Sequence, residues 1–208
     1  MVFNTTLYIN YNRIGILKVK KFILYTLGDI TKYMDLSRKN NKRTEFTRIC
    51  IAEAVIALLE NQKLEQIRIS NVVVKAGVSR MTFYNNYHSI EDVLKDYIYI
   101  IVEHYVLEQV RTEGSNTVYD RILSAMLFFD QYRRFFIVMR DSGLQGIILE
   151  AMNEYITNAD IELEKKQEMY FYAGGLLNVF LEWETSVDRK QAQDVALLIS
   201  KRMYKADL

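Results

Sequence analysis

No proline interrupts this chain of 208 residues, and only eight glycines do. Sheets joined by tight turns draw heavily on both residue types. A chain this poor in them is expected to be all-α. Half of its residues are hydrophobic and a quarter are charged, ordinary proportions for a globular protein. The length allows a sizeable core and one or two compact domains.

Hydrophobic spacing supports helices along most of the chain. From Thr44 to about Asn61, the residues Phe46, Ile49, Cys50, Ala54, Ile56, Ala57 and Leu58 recur at three- and four-residue intervals. Further helices are expected from Ser89 to about Val110, and over residues 117–130, 131–140, 144–157, 161–187 and 190–205. Gly114-Ser115-Asn116 and Asp141-Ser142-Gly143 read as breaks. Ser89-Ile90-Glu91-Asp92 resembles a capping box in which aspartate replaces the longer acid. Residues 1–33 alternate weakly in the manner of a strand, and residues 1–40 read as an N-terminal extension with no assigned role. Met34 precedes a polar, basic stretch from Asp35 to Arg43, so translation is expected to begin near Met34. The alternative is an added element that packs on the first helix.

The segment from Ile69 to His88 is the most specific in the chain. It reads as two short helices around a tight turn, the second rich in hydroxyls and amides. Ser70 and Ser79 are each placed to cap a helix, because a side-chain oxygen there accepts from a free backbone N–H. Gly77 falls where a turn favours positive φ. Val73, Val74, Ala76 and Val78 are expected to close a small core with Phe83. This is the layout of a helix-turn-helix, whose second helix enters the DNA major groove.

Charge is unevenly spread, which by itself is also what random fluctuation gives. Residues 1–95 hold fifteen basic and eight acidic residues, whereas 96–208 hold twelve and eighteen, within a net charge of +1. A basic front half suits a chain that offers one end to a polyanion. Cys50 is the single cysteine, so no internal disulfide forms and a reducing, cytoplasmic location is expected. On the apolar stripe of its helix it is expected to act as a small hydrophobe. No uninterrupted apolar run approaches the ~20 residues of a membrane span. The run at residues 22–28 is short and ends at Asp29, and no signal peptide is expected. His88 and His104 are the only histidines and have no cysteine pair nearby, so no metal site is expected. No nucleophile, base and phosphate loop share a recognisable spacing. The chain is read as a non-enzyme without a cofactor.

Ala76-Gly77-Val78-Ser79-Arg80-x-Thr82-Phe83-Tyr84-x-x-Tyr87, followed by Ser89-x-Glu91-Asp92-x-Leu94, resembles the DNA-binding domain of TetR-type transcriptional regulators. Ile51-Ala52-Glu53-Ala54-x-x-x-Leu58-Leu59 and Ile67-Arg68-Ile69 fit the same pattern upstream. The resemblance covers residues 40–100 strongly. It is weaker beyond, where Tyr172-Ala173-Gly174-Gly175-Leu176-Leu177 and Trp183 are similar to one C-terminal subgroup. It implies a two-domain helical homodimer. A three-helix DNA-binding domain would span 41–101, and a larger regulatory and dimerisation domain 102–208. The last two helices would pair with their mates in a four-helix bundle. Two departures stand out. Many members carry a phosphate-contacting lysine where Ile90 stands, and phenylalanine where Tyr87 stands.

Candidate roles follow from side-chain chemistry. Arg80, Met81, Asn85 and Asn86 are candidates for base edges: arginine grips guanine, amides suit adenine, and an apolar chain meets the thymine methyl. Thr82, Tyr84, Tyr87 and His88 are candidates for phosphates, as are Ser70 and either Thr47 or Arg48 at helix starts. Plainer roles stand beside these. Ser79 caps, Phe83 is core, Tyr87 packs inward, Asn86 is a solvated amide, and His88 sits idle by a helix end. The pair Gly174-Gly175 costs a helix up to ~2 kcal/mol. Close helix approach, within the domain or at the dimer seam, is the expected compensation, with Leu176, Leu177, Phe180 and Leu181 supplying apolar area. The back half is rich in aromatic residues, which read either as core or as the walls of an effector pocket. The expected function is a dimeric, sequence-specific repressor that binds a palindromic operator in double-stranded DNA and is released by a small-molecule effector. The alternative is a co-activator or adaptor whose C-terminal domain binds a protein partner.

Overall fold

A computed structural model describes residues 42–111, 117–159 and 161–204. The expectations for residues 1–40, for a start at Met34 and for a break at Gly114-Ser115-Asn116 lie outside the described residues. Those described are helical, with no strand among them. The helices are α1 (Lys42–Leu59), α2 (Ile69–Ala76), α3 (Arg80–Tyr84), α4 (Ile90–Arg111) and α5 (Val118–Gln131). They continue as α6 (Arg133–Asp141), α7 (Gln145–Asn158), α8 (Leu163–Trp183) and α9 (Ala192–Tyr204). No helix among the described residues is long and apolar enough to cross a membrane.

Local chemistry sets the helix ends. At the start of α4 the Ser89 hydroxyl accepts from the Asp92 N–H at 3.0 Å, and the Asp92 carboxylate accepts from the Ser89 N–H at 2.9 Å. The shorter acid therefore completes the reciprocal cap. Thr117 caps α5 by accepting from the Asp120 N–H at 3.2 Å. Tyr132 alone separates α5 from α6. Gly143 turns the chain between α6 and α7 at φ +71°. The helix expected over 161–187 stops sooner, at Trp183. Its indole N–H donates to the Lys190 carbonyl at 2.9 Å and folds the chain back before α9.

One continuous buried cluster joins the front of the molecule to the back. α1 packs on α2, α4 and α6; α4 packs on α7; α8 lies on α7 and α5; and α9 lies on α5. Ile51, Val55 and Ile56 of α1 and Val93, Leu94 and Ile98 of α4 are buried in the front part, where the two helices pack together. Farther back the rings of Phe129, Phe136 and Phe180 pack on one another with centroids 5.0–5.9 Å apart. Of the two roles open to these aromatics, they act as core.

Three expectations about burial are corrected. Phe46 was expected on the apolar face of the first helix, yet it is exposed. Cys50 is half-buried, and partial burial, with Glu53 nearby, pushes its thiol pKa up. Val74 was expected in the small core, but 81% of it is exposed, because Val72 and Val73 take the inward face of α2.

Candidate nucleic-acid interface

The turn after α2 is fixed by backbone conformation. Gly77 adopts φ +68°, ψ 31°, and the Val78 N–H reaches back to the Val73 carbonyl at 3.0 Å. A Cβ on Gly77 would meet nothing within 4 Å, so the requirement for glycine comes from φ alone. The Ser79 hydroxyl then caps α3, accepting from the Thr82 N–H at 3.0 Å, and lies 2.8 Å from the Thr82 hydroxyl. Phe83 is fully buried and anchors the short helix from within. With the inner side held, Arg80, Met81, Tyr84 and Asn85 project into solvent, Met81 with 73% of its surface exposed. Arg68 and Lys75 are exposed on the neighbouring α2 and its cap.

The remaining candidates divide. His88 is exposed, with its N–H given to the Asp92 carboxylate at 3.0 Å. Thr82 is half-buried and engaged with Ser79, and the exposed Asn86 donates its amide to the Thr82 carbonyl at 2.7 Å. Thr47 is half-buried on α1. Ser70 does not cap α2. Arg68 holds that position, since the Asn71 and Val72 N–H groups reach the Arg68 carbonyl at 2.8 and 3.2 Å. Ser70 falls inside the first turn, half-buried, with its hydroxyl 3.4 Å from the Asn71 side-chain oxygen.

Arg48 and Tyr87, expected as phosphate candidates, turn inward instead, Tyr87 in keeping with its plainer role. Both are buried, and both end on Asp96 of α4. The Arg48 guanidinium forms a two-pronged pair with that carboxylate, Nε lying 2.7 Å from Oδ2 and Nη2 on Oδ1. The Tyr87 hydroxyl donates to Oδ2 at 2.7 Å. Burial works against the charge on Arg48, but the hydrogen bonds and attraction from Asp96 outweigh it and raise its pKa. Burial first, and then the Asp96 charge, push the Tyr87 phenol well above its ordinary pKa. The three side chains bind α1, the chain leaving α3, and α4 to one point. Asp96 was missed in the sequence. The available signal was an aspartate interrupting the apolar run Val93-Leu94-x-x-Tyr97-Ile98.

The expected dimer residues are also corrected in part. Leu177, Phe180 and Leu181 are buried within the protomer, because α8 turns that face onto α5 and α7. Neither glycine marks a tight approach inside the protomer. A Cβ on Gly174 would lie 3.9 Å from Leu149 Cδ1, an ordinary contact, and one on Gly175 would meet nothing within 4 Å. The outer side of α8 instead shows Gly175 and Phe171, the latter 65% exposed. On α9, Leu197 and Leu198 are exposed. No protein-family model matches the chain, and no curated protein matches it.

Proposed function

We propose that this chain is a dimeric, sequence-specific DNA-binding transcriptional regulator, a repressor released by a small-molecule effector. The observation that carries the reading is α3, held by the Ser79 cap and the buried Phe83 while Arg80, Met81, Tyr84 and Asn85 face solvent. A helix of this kind offers a guanidinium, an amide and an apolar tip to base edges, and a phenol to the phosphate chain. On this reading α2, the Gly77 turn and α3 form a helix-turn-helix within a front domain, and the later helices form the regulatory domain.

Dimerisation supplies the second reading helix, and two-fold symmetry makes the operator palindromic, with half-sites about 34 Å apart. Exposed Phe171 on α8 and Leu197 and Leu198 on α9 support a seam built from the last two helices. Asp96 supports a coupling between the halves, since α4 grips the chain that leaves α3 through Tyr87. An effector that favours one arrangement of α4 then changes the spacing of the two reading helices.

A gel-shift series with the DNA upstream of the gene tests the reading. A specific complex that outlasts competition by random duplex is expected. Binding no tighter to that DNA than to random duplex, at moderate salt, overturns it.

A further inference from the structure

A cleft of about 270 Å³ opens where α1, α4 and the joint between α5 and α6 meet. Glu53 and Ile56 of α1, Tyr97 of α4, and Tyr132, Arg134 and Phe135 at the joint line it. We propose that this cleft binds a small aromatic ammonium ion, a single ring bearing an amine, whose charge takes Glu53 from Arg134.

The size comes first. Pockets for drug-sized ligands run to roughly 300–1,000 Å³, so this one suits a smaller molecule. The walls come next. Tyr132 and Phe135 stand edge-on to Tyr97, with centroids 6.5 and 5.1 Å away. Aromatic rings beside a carboxylate favour a cation, because the ring faces and the carboxylate are both negative.

The polar groups decide the sign of the ligand. Arg134 donates to Glu60 at 2.7 Å and to Glu53 at 2.9 Å, while the Tyr97 hydroxyl donates to the other Glu53 oxygen at 3.0 Å. Arg134 thus has two carboxylates and keeps Glu60 when it gives up Glu53. With two carboxylates against one guanidinium the group carries a net negative charge, which repels an anion and draws a cation. The Arg134 and Glu53 side chains are also 50% and 44% exposed, so the pair that must open is a weak one.

Arg134 is a polar grip of α6 on α1, and α1 in turn carries Arg48 to Asp96. Giving up Glu53 weakens that grip and leaves Arg134 holding only Glu60, just past the end of α1. That consequence for DNA rests on the regulator reading above; the binding itself does not.

Calorimetric titration of the full chain with benzylammonium, benzyl alcohol and benzoate tests the site. Benzylammonium is expected to saturate a single site, with benzyl alcohol and benzoate at least ten-fold weaker. Glu53→Gln and Tyr132→Ala should each weaken benzylammonium ten-fold or more. Arg134→Gln should tighten it several-fold by freeing Glu53, an outcome that a merely structural role does not give. No saturable binding by a chain with an intact helical spectrum overturns the proposal. So does tighter binding of benzoate, or an affinity indifferent to both Glu53→Gln and Tyr132→Ala. A gel shift with and without benzylammonium reads the consequence separately. If the ligand binds but the protein holds no DNA, the cleft stands and the regulator reading falls.

Discussion

The Arg48 guanidinium of α1 grips the Asp96 carboxylate of α4 with two prongs, Nε lying 2.7 Å from Oδ2. Both side chains are mostly buried, and Asp96 also accepts from Tyr87 at 2.7 Å. Removing one partner of such a pair leaves an unmatched charge away from water. Arg48→Ala and Asp96→Asn should therefore each cost about 3 kcal/mol. Tyr87→Phe, which removes one hydrogen bond to a charged acceptor, should cost about 1.5 kcal/mol. Urea unfolding followed by circular dichroism measures all three. Losses within error of zero would show that the pair contributes nothing.

The exposed face of α3 gives a prediction about sequence preference. Arg80→Ala should cost about 1–3 kcal/mol at the specific operator and relax the choice of base at one position. Tyr84→Phe should weaken all duplexes more evenly, since a phenol on phosphate carries no sequence information. Neither should change the unfolding midpoint, because both side chains are exposed. Binding of a randomised duplex pool, read by sequencing, separates the two. Unchanged base preference in Arg80→Ala would remove that residue from the reading set.

The dimer seam proposed on the last two helices makes charge a sharp probe. Leu198 is 52% exposed and Phe171 65% exposed, so acids are tolerated there in a free protomer. Leu198→Glu and Phe171→Glu should convert a dimer to a monomer while leaving helicity intact. Light scattering after size-exclusion chromatography reports the mass. A wild-type monomer would overturn the proposed dimer, and charged variants that remain dimeric would move the seam elsewhere.

Alkaline pH should destabilise the fold. Burial raises the phenol pKa of Tyr87, Tyr97, Tyr105 and Tyr155, that of Tyr155 to about 12. Neighbouring carboxylates add to the effect, Asp96 at Tyr87 and Glu53 at Tyr97. In the unfolded chain these phenols ionise near pH 10, as tyrosine ordinarily does. Between the two values the unfolded state binds fewer protons than the native one. The stability they contribute is thus complete below about pH 10 and is lost as pH rises towards the folded values. Thermal melts across that window, with tyrosinate absorbance recorded alongside, should show Tm falling as pH climbs. A flat Tm would contradict the burial of these hydroxyls.

What the sequence disclosed was local chemistry. The Ser79 cap, the Gly77 turn and the Ser89–Asp92 exchange span three or four residues each, and spacing alone declares them. Phe83 was legible as core because the turn brings it to the apolar Val73, Ala76 and Val78 in the helix-turn-helix layout. Inward packing was open to Tyr87 as its plainer role, but Arg48 was not legible, because Asp96, which turns it inward, is 48 residues beyond it. Helical period likewise marked Leu177, Phe180 and Leu181 as an apolar stripe but could not say what covers it. A neighbouring helix of the same chain and a second copy look identical from one strip of sequence. Ser70 failed for a smaller reason: α2 begins earlier, where the Arg68 carbonyl already accepts from two N–H groups.

The short α3 rests on a serine before it and one phenylalanine beneath it. Folding asks little of Arg80, Met81, Tyr84 or Asn85. If the proposed function holds, descendants of this chain can exchange those outward residues freely, drifting from one recognised target to another without first acquiring compensating changes in the interior.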